Sequence, residues 1–221
     1  EFGKTYHNFG SGREEHKHLS LLVSGQKTED HWAVPNNPTT FFYLKGVVTA
    51  ILERIGIANT TEKQVKDAVF SEGIGISKNK KTLVSLGVVK KSILKAFGVE
   101  TETLYADFNW DVILAEISSE PFLVQPIPKF PKVKRDFALL LDDAVSFSAL
   151  QEAAFQTEKR ILKDVNLFDV YTGKNLPEGK KSYALSFTLL DERKTLTDKQ
   201  IEKIMKKLQN RFETDFGAVL R

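Results

Sequence analysis

Ile161-Leu-Lys-Asp-Val-Asn-Leu-Phe-Asp-Val-Tyr171 and Ser182-Tyr-Ala-Leu-Ser-Phe-Thr-Leu-Leu190 decide the fold of the C-terminal part of the chain. In the second stretch Tyr183, Leu185, Phe187 and Leu189 alternate with Ser182, Ala184, Ser186 and Thr188, the period-two pattern of a strand buried on one face. The first reads as its partner strand. The intervening Thr172–Lys181, with Gly173, Pro177 and Gly179, reads as a loop. Upstream, Asp136–Leu141 reads as a strand, and Ser148-Ala-Leu-Gln151 as a capping box opening a helix to about Lys159. Downstream, Thr197-Asp-Lys-Gln200 caps a long helix whose apolar stripe is Ile201, Ile204, Met205, Leu208 and Phe212. Gly217–Leu220 supplies a short last strand. The order β-α-β-β-α-β is the split βαβ of ferredoxin-like domains, an α+β arrangement that hosts many functions.

Working outward, four of the seven prolines fall within residues 121–131, where neither a helix nor a central strand can run. This stretch reads as a linker between residues 1–120 and 132–221. Before it the pattern mixes α and β. Leu19–Ser24 and Thr82–Lys90 read as buried strands, and Thr101–Phe108 as another. Leu44, Val47, Val48, Ile51, Leu52 and Ile55 follow Pro38-Thr-Thr at helical spacing, with Gly56 as the stop. Shorter helices are expected at Thr61 (a capping box with Gln64), Lys90 and Asn109. Phe41, Phe42 and Tyr43 stand in succession at the start of the long helix, so part of that aromatic area is expected at the surface.

The 221 residues are 41% hydrophobic and 28% charged, the composition of a globular chain with ample core material. No apolar run approaches the ~18 residues of a spanning helix. The start, Glu-Phe-Gly-Lys-Thr-Tyr-His, has no basic segment or apolar core, so no signal peptide is expected. The chain lacks an initiator Met and opens in mid-strand, which reads as a piece of a longer polypeptide. The absence of cysteine excludes disulfides, thiolate metal sites and Cys nucleophiles and points to the cytosol. Residues 1–127 hold 14 basic against 15 acidic side chains, and residues 128–221 hold 18 against 14. The basic excess therefore lies wholly in the C-terminal part, as an anionic partner there would favour.

Catalytic and metal chemistry find little support. All four histidines lie in the first 31 residues, and His16/His18 share one strand face without a third ligand at diagnostic spacing. Gly73-Ile-Gly75 lacks the rest of a phosphate loop and reads as a turn. Asp142/Asp143 and Asp191/Glu192 read as solvated strand ends, and no Ser-His-Asp set can be assembled. A nucleic-acid reading is better supported. Lys129, Lys132, Lys134 and Arg135 lead into the first C-terminal strand, Lys180 and Lys181 into the third, and Tyr171 closes the second. A sheet face bearing Tyr and small polar residues, rimmed by cations, suits an unstacked base.

Phe130-Pro-Lys-Val-Lys-Arg-Asp-Phe-Ala138, Leu167-Phe-Asp-Val-Tyr-Thr-Gly173, Lys181-Ser-Tyr-Ala184, Asp191-Glu-Arg-Lys-Thr-Leu-Thr197 and Gly217-Ala-Val-Leu-Arg221 occur in order. Together they resemble the ferredoxin-fold anticodon-binding domain that ends bacterial phenylalanyl-tRNA synthetase beta subunits. Glu1-Phe-Gly-Lys-Thr-Tyr6, Leu21–Gly25, Trp32 and Phe41-Phe-Tyr-Leu-Lys-Gly46 are similar, more loosely, to the preceding segment of that subunit. The resemblance implies a non-catalytic, class II synthetase-like mixed α/β core over residues 1–120, then a ferredoxin-like βαββαβ domain. No Gly-rich strand of the ATP-binding type is present, and Arg13-Glu14 reads as part of a Gly/Ser-rich loop.

By the same resemblance Asp169, Tyr171 and Ser182, with Ala138, would take the first anticodon base. Lys132, Lys134, Arg135, Lys180 and Lys181 would hold phosphates. The family partners are the catalytic alpha subunit and tRNA(Phe) in an (alpha-beta)2 heterotetramer, with neither DNA nor a membrane. ATP and Mg2+ would serve the whole enzyme, and this part would hold no catalytic residue, metal or cofactor. The alternative is a free-standing ferredoxin-like protein that binds RNA or senses a small molecule.

Overall fold

The computed structural model describes residues 1–8, 10, 12–117 and 127–221. The chain divides into two compact units, residues 1–123 and 124–221. Of the linker read at 121–131, residues 121–126 lie outside the described residues, and 127–131 carry no helix or strand.

Unit 1 is built on a six-stranded sheet of β1 (Phe2–Asn8), β2 (Arg13–Ser24), β3 (Thr61–Gln64), β4 (Phe70–Lys78), β5 (Lys81–Val89) and β6 (Thr103–Asn109). The spatial order is β1-β2-β6-β5-β4-β3, and every neighbouring pair is antiparallel. Helices α1 (Phe41–Arg54) and α3 (Trp110–Glu116) supply Leu44, Val48, Leu52 and Ile113 to a core with Leu86, Leu104, Ala106 and Phe108 of the strands. A short α2 (Lys91–Ala96) follows β5. Thr40 caps α1, its hydroxyl accepting from the Tyr43 N–H. At the other end, the Ile57 N–H donates to the Leu52 carbonyl and the Gly56 N–H to that of Glu53, closing the last turn. The three aromatic residues at the helix start separate: Phe41 is half-buried, while Phe42 and Tyr43 are exposed.

Three local expectations for unit 1 are overturned. Thr61–Gln64 is the edge strand β3, not a helix; all four residues are exposed, and pairing with β4 outweighs a capping pattern with no apolar stripe behind it. Gly73-Ile-Gly75 is not a turn but lies inside β4, where a side chain at Gly73 would press on the Phe70 ring at 3.0 Å and on the Leu86 carbonyl at 3.1 Å. Arg13 and Glu14 begin β2 rather than sitting in a loop, because β1 pairs with this end of the strand from Asn8↔Arg13 onward.

Unit 2 runs β7 (Val133–Asp142), α4 (Phe147–Thr157), β8 (Leu162–Tyr171), β9 (Lys180–Leu189), α5 (Asp198–Phe216) and β10 (Val219–Leu220). Its antiparallel sheet has the order β10-β7-β9-β8, and the fold is ferredoxin-like. The inward residues of β9 are Tyr183, Leu185, Phe187 and Leu189. They pack with Leu150, Ala153 and Ala154 of α4 and with the whole α5 stripe from Ile201 to Phe212. Thr197 and Gln200 form the expected capping box of α5. For α4 the cap is Ser146 rather than Ser148: the Ser146 hydroxyl accepts from the Ala149 N–H at 3.3 Å.

Candidate nucleic-acid interface

Both helices of unit 2 lie on one side of the sheet, so every second residue of β7, β8 and β9 looks out from the other side. Register fixes which ones these are. Tyr171 stands opposite Ser182, and Ser182 opposite Leu140. One row further, Asp169 stands opposite Ala184, and Ala184 opposite Ala138. Residues paired directly across antiparallel strands point the same way. Asp169, Tyr171, Ser182 and Ala138 therefore share the open face. Ala184 and Ala138 make a floor of small side chains beside the Asp169 carboxylate, and Tyr171 stands at the end of β8, 40% exposed. The next row is Asn166, Ser186 and Asp136, all polar, which were not singled out in the sequence.

Asp169 and Tyr171 reach that face through an irregularity in β8. Val165 pairs with Phe187 and Leu167 with Leu185, both pairs facing the helices. Strict alternation would then send Asp169 and Tyr171 to the helix side as well. Instead Phe168 has no partner of its own, and pairing resumes at Asp169↔Ala184. This one-residue bulge reverses the phase, and the Phe168 ring is left 56% exposed on the edge strand.

The expected phosphate-binding cations do not gather around the pocket. Lys132, Lys134 and Arg135 are exposed, but Arg135 pairs with Phe187 and so points to the helix side, away from the open face, and Lys134 pairs with Thr188 while Leu140 pairs with Ser182. Six residues along β7 separate the two rows, about 20 Å at ~3.4 Å per residue. Lys180 is at the Tyr171 end, where its ammonium meets Asp142 at 2.6 Å. Lys181 contradicts its expected role: it faces the helices with Tyr183. Its Nζ donates to the Asp143 carbonyl at 2.7 Å and sits 4.7 Å from the Tyr183 ring centre. Buried in this way, it cannot reach a phosphate. Lys174, which the sequence reading passed over, is exposed in the loop that follows Tyr171.

Asp191, which opens the fourth family-like motif, supports the fold. Its carboxylate accepts from the Arg193 N–H at 3.0 Å and meets the Arg160 guanidinium at 3.2 Å. The Arg193 hydrogen bond first, then Arg160, hold that carboxyl below the ordinary carboxylate range.

The open face of unit 1 is also polar. The Ser20 and Tyr105 hydroxyls are 3.1 Å apart, His18 Nδ1 lies 3.0 Å from Asp107, and His18 Nε2 lies 3.2 Å from the Thr5 hydroxyl. The Thr5–His18–Asp107 row has the order of a hydroxyl–imidazole–carboxylate relay, and no such set was found in the sequence. Thr5 also meets His7 at 3.3 Å on the exposed β1–β2 ladder, where water competes for each bond. The row is a cross-strand ladder. Among the described residues no three His, Asp or Glu side chains converge as metal ligands would.

A family model described as the ferredoxin-fold anticodon binding domain matches residues 128–221, which makes unit 2 a domain of that class. A second, described as the phenylalanyl tRNA synthetase beta chain CLM domain, matches residues 1–110. Phenylalanine–tRNA ligase beta subunits of Bacteroides thetaiotaomicron and Geobacillus kaustophilus are 42% and 32% identical to the chain over its whole length. The chain belongs to the phenylalanine–tRNA ligase beta-subunit family, and it spans 28% of the length of those two relatives. Family membership displaces the free-standing alternative. Among solved structures, a pyrrolysyl-tRNA synthetase from Desulfitobacterium hafniense aligns at a TM-score of 0.38 and 16% identity. That alignment covers 51% of this chain and 38% of the other, a likeness too loose to bear weight.

Proposed function

We propose that this chain reads the tRNA(Phe) anticodon through unit 2 and scaffolds the catalytic alpha subunit of a phenylalanine–tRNA ligase through unit 1. The reading rests on the register that sets Tyr171, Asp169 and Ser182 on one open face over an alanine floor. An unstacked base lies on the Tyr171 ring, which is worth about 1–3 kcal/mol. The Asp169 carboxylate accepts from N–H groups at the base edge, and the Ser182 hydroxyl donates or accepts beside it. A base of the wrong pattern leaves one of these groups unpaired and is selected against. Exposed Lys132 and Lys134 lie a few nucleotides' reach away along the sheet and hold the backbone, with Lys180 and Lys174 at the near end.

For unit 1 the support is the solvent side of α1, where Phe42 is 79% exposed. Further along, Val47, Ala50, Ile51, Arg54 and Ile55 line a shallow hollow of about 350 Å³. A partner subunit covers such a surface. In this reading residues 1–120 are a non-catalytic, class II synthetase-like core, residues 132–221 are the anticodon-binding domain, and the assembly is an (alpha-beta)2 tetramer in the cytoplasm. No helix among the described residues is long and apolar enough to cross a membrane. ATP and Mg2+ belong to the joining of phenylalanine to tRNA on the alpha subunit, and no residue of this chain is assigned to them.

The test is Tyr171→Ala in the full ligase. The expected result is a fall of about 5- to 150-fold in kcat/KM for tRNA with phenylalanine-dependent pyrophosphate exchange intact. An unchanged kcat/KM for tRNA would sink the anticodon reading.

A further inference from the structure

Tyr171 ends its strand, and the chain turns at once through Thr172 and Gly173. A Cβ built on Gly173 would stand 2.1 Å from the Tyr171 hydroxyl oxygen and 2.2 Å from Cζ of the same ring. Those separations are far inside van der Waals contact, so the ring lies directly against the bare Cα of residue 173. The turn itself does not demand glycine. Gly173 is not among the residues at positive φ, and its carbonyl makes an ordinary turn bond, accepting from the Leu176 N–H at 3.1 Å. What requires glycine here is the ring.

We propose that Gly173 is a positioning residue for base stacking: its missing side chain is the bed on which the Tyr171 ring lies. The proposal rests on the reading of Tyr171 as the stacking residue. A tyrosine at the end of an edge strand would otherwise sample several rotamers and lose that freedom each time RNA binds. Holding the ring against Gly173 removes much of this loss in advance, an advantage of roughly 2- to 12-fold in affinity for one immobilised side chain. Alanine at 173 fits the backbone and displaces the ring.

The experiment compares Gly173→Ala, Tyr171→Ala and the double variant in the full ligase. It measures tRNA affinity directly and thermal unfolding alongside. Gly173→Ala weakens tRNA binding by roughly 2- to 12-fold without lowering the unfolding temperature. In the Tyr171→Ala background the same change has no effect beyond about twofold, because the ring it acts through is gone. A crystal structure of the Gly173→Ala enzyme shows the ring moved away from residue 173. The positioning role is overturned if Gly173→Ala binds tRNA normally while Tyr171→Ala does not, if it costs the same factor in both backgrounds, or if the ring has not moved. Normal binding by Tyr171→Ala removes the stacking reading itself, so the two failures are told apart.

Discussion

In both units helices cover one face of an antiparallel sheet and the other face is left polar, yet the polar groups on the two open faces are engaged differently. In unit 1 they satisfy one another across the strands: Ser20 with Tyr105, His18 with Asp107, Thr5 with His18. In unit 2 the side chains of Asp169, Tyr171, Ser182, Asn166, Ser186 and Asp136 make no hydrogen bond to the protein among the described residues. A donor or acceptor already paired inside the protein gains little from a ligand, whereas one held by water exchanges it at small cost. A polar sheet face is thus no guide to binding until its internal pairing is known. By that measure the six residues named in unit 2 hold their hydrogen-bonding capacity free, and those named in unit 1 have used theirs.

The strongest way to break this contrast is to change the count of residues in β8. Deleting Val170 keeps Asp169 opposite Ala184 but sets Tyr171 opposite Tyr183, toward the helices, so tRNA use by the full ligase falls by up to about 150-fold, the upper bound for losing one stacked base. Phe168→Ala keeps the count and leaves kcat/KM for tRNA within about twofold. Equal effects of the two changes would show that the register does not matter. A second pair separates lysines that the sequence treats alike. Lys181→Ala lowers stability by about 1 kcal/mol through the lost ring contact and carbonyl bond and leaves the salt dependence of tRNA binding unchanged. Lys134→Ala leaves stability alone and reduces the salt slope by roughly one unit, the outcome for a phosphate contact. The smallest effect belongs to unit 1. Asp107→Asn weakens a half-exposed bond to His18 and costs less than about 1 kcal/mol by chemical denaturation, with tRNA affinity untouched. A loss of tRNA affinity there would mean that the paired face also binds.

Much of this was legible before any coordinates. The alternation of β9 and the stripe of α5 carry their own periods, and the prolines of 121–131 exclude regular structure without help from the rest of the chain. Errors arose where local pattern and tertiary pairing disagree. Thr61-Glu-Lys-Gln64 has a helix-start pattern but nothing apolar behind it, and the β4 edge claimed it. Lys181 was assigned by charge, although its two-residue spacing from Tyr183 already put it on the buried side. The bulge at Phe168 could not be read at all. It contains no glycine or other local demand, and it exists only because Leu167 and Asp169 pair with consecutive residues of β9. Tyr171-Thr-Gly173 is the reverse case: the spacing was visible, but its meaning needed the direction of a ring.

The bulge also bears on how distant relatives should be compared. Substitutions at Asp169 or Tyr171 alter what the face says, whereas the loss of the one residue between Leu167 and Asp169 leaves the face unchanged, because those two already pair with consecutive residues of β9. A one-residue gap there in an alignment is therefore weaker evidence against the site than a changed letter. A sequence that keeps the Asp-x-Tyr pattern and lacks one residue before it has a plain strand with the same side chains outward. Anyone transplanting this pocket onto another sheet has only to set the aspartate opposite a residue of the open face: the extra residue need not travel with the side chains.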